Sequence, residues 1–138
     1  MSFDELLESG RITRHSASRR EIGDLLVAVA RDLTDAGHHG ISVDRQFMAA
    51  YEAGLGLCII VLAAAGYRAR SSGHHVTAIE SLPLALGDEF EATRIYLDDC
   101  RETRHDLTYR RVGLVSQADV SDLIAEVEKL RERVLVAV

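Results

Sequence analysis

Tryptophan is absent from this 138-residue chain, and proline and lysine occur once each. Pro83 is almost the only residue that would break a helix, because a proline ring removes a backbone donor and clashes with the preceding turn. Seventeen alanines, which lose least on entering a helix, point the same way. Ten glycines without a period and 47% apolar residues exclude collagen-like, low-complexity and wholly disordered chains. Cysteine is scarce: Cys58 and Cys100 lack CxxC spacing and fall in helical segments, so buried free thiols in a reducing cytoplasm are expected. Asp4, Glu5 and Glu8 stand where a signal peptide needs a basic region and an apolar core, so none is expected.

A cationic excess is missing as well. Sixteen Lys+Arg against 22 Asp+Glu leave a formal net charge of −6, which excludes a broadly basic coat for nucleic acid. Any polyanion site must be local. Fifteen of the cations are arginine, whose planar fork suits phosphate or carboxylate, although most of that excess reads as compositional bias.

The length suits one domain. Residues 1–17, with Arg11, Arg14 and His15 and no acid beyond Glu8, are expected as a polar, flexible arm before a domain spanning residues 18–138. Ser18 with Glu21 has capping-box spacing and opens a helix to about Ala36, along which Ile22, Leu25, Leu26, Val29 and Leu33 form one stripe. Gly37 is expected to end it in the left-handed conformation. Ser42 caps a helix from Val43 to about Ala65, stopped by Gly66. Fourteen consecutive residues there, Ala53 to Gly66, carry no polar side chain. That run is short of the about 20 residues that span a bilayer, so a central core helix is expected, and no membrane association. Ala50, Gly54 and Cys58 form a row of small residues for a close helix neighbour, within the chain or across a dimer.

Tyr67 to His75 reads as a polar loop, followed by a short helix from Val76 to about Leu86. Asp88 with Glu91 repeats the capping spacing and opens a helix to about His105. Ser116 with Asp119 opens the last, whose stripe is Val120, Leu123, Ile124, Val127, Leu130 and Val134. Strand-like alternation is absent. The pattern predicts an all-α fold, an antiparallel four-helix bundle with one additional short helix.

Phosphate loops, nucleophile elbows, HExxH and dinucleotide fingerprints are all missing, and no cofactor is expected. The pairs His38-His39 and His74-His75 lack ligand partners at zinc spacing, so no metal site is expected. Chemistry concentrates between Asp98 and Arg111. Arg101, His105 and Tyr109 are spaced by four, so a continuing helix sets a guanidinium, an imidazole and a phenol on one ridge beside Arg104. Four acids and four arginines cancel over this segment, which leaves a salt-bridged helix end as the alternative.

The stretch Arg104-His105-Asp106-Leu107-Thr108-Tyr109 resembles the motif of the HEPN superfamily of prokaryotic helical bundles, an arginine followed by a polar residue and then a histidine. His105 takes the polar place and Tyr109 the histidine place. Ala50-Tyr51-Glu52-Ala53, Ala65-Gly66-Tyr67-Arg68 and Gly73-His74-His75 add to the resemblance, which covers residues 18 to 136. It implies a homodimer in which motifs of two protomers meet, and a metal-independent ribonuclease or RNA-binding toxin paired with a nucleotidyltransferase-type antitoxin. The implied catalytic set is Arg104 on the phosphate, His105 as acid/base and Tyr109 stacking or donating a hydrogen bond. Arg101, Arg110 and Arg111 would bind RNA phosphates. An ordinary phenol, with a pKa of about 10, is protonated at neutral pH, so Tyr109 does not replace a histidine base. Two alternatives follow: a non-catalytic dimeric module that partners a nucleotidyltransferase-type protein, and Tyr109 as a nucleotidylation acceptor.

Overall fold

The computed structural model describes residues 1–138, of which 73% are helical. The order is α1 (Phe3–Glu8), β1 (Ile12–Arg14), α2 (Arg19–Ala36), α3 (Val43–Ala64), β2 (Tyr67–Ala69), α4 (His74–Glu80), α5 (Leu82–Leu86), a 3-10 turn (Asp88–Phe90), α6 (Glu91–Tyr109) and α7 (Gln117–Ala137).

Serines start three of the long helices as their spacing predicts. The hydroxyls of Ser18, Ser42 and Ser116 accept from the backbone N–H groups of Glu21, Arg45 and Asp119. Asp119 returns the bond to the Ser116 N–H at 2.8 Å and completes a capping box. Glu21 does not: its carboxylate pairs with His15 Nε2 at 2.7 Å. Gly37 has φ −83°, an ordinary right-handed value, where a left-handed cap was expected. The Asp88 cap is not formed either, because the 3-10 turn intervenes and Glu91 pairs with Arg94 instead.

Helix α3 is the centre. Its first half carries polar side chains as far as Glu52, but from Ala53 onwards the helix is apolar all round, and α2, α6 and α7 pack against α3. By length and composition alone α3 passes as a membrane span, yet two-thirds of its most apolar window, 67%, is buried within the chain. The small-residue row faces inward. A Cβ built on Gly54 would lie 3.2 Å from both Leu97 of α6 and Val127 of α7, so the row admits intramolecular neighbours and is not a surface for a second copy. Cys58 and Cys100 are free and buried in the same core.

The N-terminal arm requires correction. Residues 11–14 form a ribbon with β2, pairing Ile12 with Ala69, Thr13 with Arg68 and Arg14 with Tyr67. Leu6 and Ile12, 2% and 1% exposed, pack on Leu62 of α3, and Phe3 stacks on Tyr67 at 4.7 Å. The expected loop at Tyr67 to His75 therefore holds β2 and the first turn of α4. The expected single short helix divides at Ser81 into α4 and α5, with Pro83 in the first turn of α5, where its missing N–H is no loss.

Candidate functional site

Helix α6 continues to Tyr109, so Arg101, His105 and Tyr109 do lie along one ridge. The rings of His105 and Tyr109 are 4.9 Å apart and tilted by 48°. Tyr109 is 70% exposed, and His105 is exposed beside it. Arg110 and Arg111 just beyond the helix are also exposed, and Arg110 approaches Asp106 at 3.8 Å. The loop they open is tied back by the Gly113 N–H donating to the Asp44 carboxylate at 3.0 Å.

The arginines on the inner side of the ridge are held by acids. Arg101 donates from Nε to Asp98 at 2.9 Å, and its Nη2 stands 3.8 Å from Glu102. Arg104 Nη2 reaches across to Glu52 of α3 at 3.2 Å, while its Nε is buried and finds no partner. Both guanidinium groups border a cleft of about 210 Å³ between α6 and α4, lined by Gly73, His74, His75, Val76, Arg101, Arg104 and His105. None of those seven residues is acidic. Tyr109 and Arg111 lie outside this cleft; Arg110 joins Arg101 and His105 around an adjoining hollow.

Sequence reasoning missed the far wall of the cleft. His74 and His75 are considered as metal ligands, and they and Tyr51-Glu52 enter the resemblance as segments, but none of the four is expected at the site. Tyr51 is fully buried, 0% exposed, and its hydroxyl hydrogen-bonds His75 Nδ1 at 3.0 Å. Burial, ahead of the neighbouring Glu52 charge, pushes the Tyr51 phenol above its usual pKa, so it keeps its proton. Burial first, then His74, Arg104 and Arg101, pulls His75 down to about 4, so its ring is neutral at physiological pH. The available signal was the phenol itself. A tyrosine inside an otherwise apolar helix must find a hydrogen-bond partner, although the sequence does not say which.

His74 packs edge-on against His75 at 4.4 Å, and no three His, Cys, Asp or Glu side chains converge as a metal-binding group. Chemically the site offers two guanidinium forks, the neutral imidazole of His75 with two further imidazoles, and, outside the cleft beside His105, the exposed ring of Tyr109. Comparison of the chain with protein-family models, with curated proteins and with solved structures finds no match.

Proposed function

We propose that this is a HEPN-like protein, with α2, α3, α6 and α7 as an antiparallel four-helix bundle, which binds RNA along the C-terminal half of α6 and acts as a cytoplasmic homodimer. The observation that carries the proposal is the exposed His105 ring lining a cleft bordered by Arg101 and Arg104, with the exposed Tyr109 ring beside it. Aromatic rings stack on unpaired bases, and arginine forks hold phosphates. Metal-independent cleavage would use Arg104 against the charge that develops on the phosphate. His105 would take the proton of the attacking 2′-hydroxyl as the P–O5′ bond breaks and return it to the leaving 5′-oxygen, giving a 2′,3′-cyclic phosphate and a 5′-hydroxyl, with Tyr109 placing the nucleobase. Arg110 and Arg111 extend the phosphate track outside the cleft, and a nucleotidyltransferase-type antitoxin is the proposed partner.

The test is incubation of the purified protein with mixed RNA, beside Arg104→Ala and His105→Ala variants shown to fold by circular dichroism. Binding and cleavage by the native protein, lost or reduced at least about tenfold in Arg104→Ala, are expected, as for removal of a charge-assisted bond to a reacting phosphate. Equal and negligible binding and cleavage by all three would overturn the proposal.

The second reading, a non-catalytic dimeric module for a nucleotidyltransferase-type partner, is favoured by one specific arrangement. Arg104 is already paired with Glu52 and Arg101 with Asp98, as in a salt-bridged helix end. RNA binding without cleavage, or dimerisation without either, supports that reading. Mass measurement in solution tests the dimer, and a strict monomer counts against both.

A further inference from the structure

The wall opposite the motif gives the cleft a chemistry of its own. Tyr51 is fully buried, and its hydroxyl makes one hydrogen bond, to His75 Nδ1. A buried hydroxyl must place its proton on an acceptor. The only acceptor in reach is Nδ1, so the neutral imidazole of His75 carries its hydrogen on Nε2, the nitrogen left for the cleft. His75 shares the cleft with Arg101 and Arg104, His74 and His105, and no acidic residue lines it. Glu52 holds Arg104 through Nη2 and leaves the buried Nε without a partner. The volume, about 210 Å³, is below the roughly 300–1,000 Å³ of pockets that enclose a whole small molecule, so the cleft suits one charged group.

We propose that the cleft binds a phosphate group through the guanidinium groups of Arg101 and Arg104 and the Nε2–H of His75, and that Tyr51 is a positioning residue which fixes the tautomer His75 needs for this. The inference rests on the RNA reading only for the source of the phosphate, an internal phosphodiester or a terminal phosphate. Neither Tyr51 nor His75 belongs to the arginine motif, so the site joins three elements, α3, α4 and α6.

The surroundings of His75 decide its charge in the cleft. His75 faces Tyr51 from α3, His74 from its own helix, and Arg101, Arg104 and His105 from α6. Glu52 acts through Arg104, α5 contributes no titratable side chain, and Tyr67 and Arg68 of β2 line the neighbouring pocket with His74. Protonation of His75 puts a hydrogen on Nδ1 and takes away the acceptor of the Tyr51 hydroxyl, so the neutral ring is the form that binds, and burial with the two guanidinium groups nearby keeps it neutral.

The experiment combines nitrogen-15 spectra of the histidine rings in the native protein with titrations of three probes: inorganic phosphate, a short oligoribonucleotide without terminal phosphates, and the same oligonucleotide with a 5′-phosphate. The native protein is expected to show His75 as the Nε2–H tautomer. Its resonances should shift on adding a probe, and Tyr51→Phe should lose the single tautomer. Affinity should fall about tenfold in His75→Gln and about threefold in Tyr51→Phe, as for one lost hydrogen bond to an anion and one lost orienting bond. Binding of the unphosphorylated oligonucleotide identifies an internal phosphodiester. Binding confined to phosphate and the 5′-phosphorylated probe supports the phosphate site with a terminal source and counts against the RNA track along α6. An Nδ1–H tautomer in the native protein overturns the inference. So does oligonucleotide binding that neither shifts His75 nor weakens in His75→Gln, which leaves the RNA reading standing; no binding of any probe overturns both.

Discussion

At His75 the fold places an imidazole between a buried phenol and two guanidinium groups, and burial ahead of those charges draws its pKa from the ordinary 6.5 to about 4. In the unfolded chain the ring binds its proton near 6.5, so between the two values the unfolded state holds more protons. Stability from this group is complete above the unfolded value and falls as the pH drops towards the folded one. The ring is partly exposed, which makes the slope shallow. His75→Gln should flatten it. Melting temperatures at pH about 7 and about 4.5 are expected to differ less in the variant than in the native protein, and parallel profiles would contradict the assignment. The two thiols follow the same physics with the opposite sign. Burial raises both Cys58 and Cys100 to about 12, so neither supplies a thiolate at neutral pH. Neither should react with a disulfide reagent while the chain is folded, and both should react in denaturant; rapid labelling of the native protein would show that the core opens.

Among the elements, α3 depends on what it lacks at position 54. The Cβ of any other residue there meets Leu97 and Val127 at 3.2 Å, closer than ordinary contact, and both neighbours are fixed in the core. Gly54→Val should therefore cost about 1–3 kcal/mol by overpacking, read from denaturant unfolding, despite valine's better helix propensity. An unchanged midpoint would mean that α6 and α7 yield freely at this contact. Three of the four long helices were legible from a serine cap, with a stripe of period 3.6 in α2 and α7 and an unbroken apolar run in α3, and these are local properties of a sequence. The ribbon was not. Ile12 to Arg14 is too short to show alternation, and its partner, Tyr67 to Ala69, lies far away in sequence. The site divides in the same way. Arg101, His105 and Tyr109 share a helix, so their spacing placed them on one ridge, whereas His75 and Tyr51 meet only because α4 and α3 pack together. The continuation of α6 to Tyr109 was a condition in the sequence and is a fact of the structure.

Over the whole molecule, the first seventeen residues tie the distal end of α3 to the helix that carries His75. Leu6 and Ile12 cover Leu62, and Arg11 donates to Thr77 Oγ1 of α4 at 3.1 Å. Arg11 also stands 2.7 Å from Glu80 at the end of α4, an ion pair whose geometry is not that of an aligned hydrogen bond. Burying two large aliphatic side chains is worth about 1.5–3 kcal/mol each, and ordering the segment costs part of that gain. Removal of residues 1–17 should lower the unfolding free energy measurably, and a freely moving arm would leave it unchanged. The finer variant Arg11→Ala deprives buried Thr77 of its donor while the apolar cluster remains, at about 1 kcal/mol. Because Thr77 lies two residues from His75 on a short helix, the loss should also reach the cleft. Hydrogen exchange in Arg11→Ala is expected to quicken along α4 and not along α7. Unaltered protection of α4 would show that the helix holds its histidines in place without the N-terminal segment.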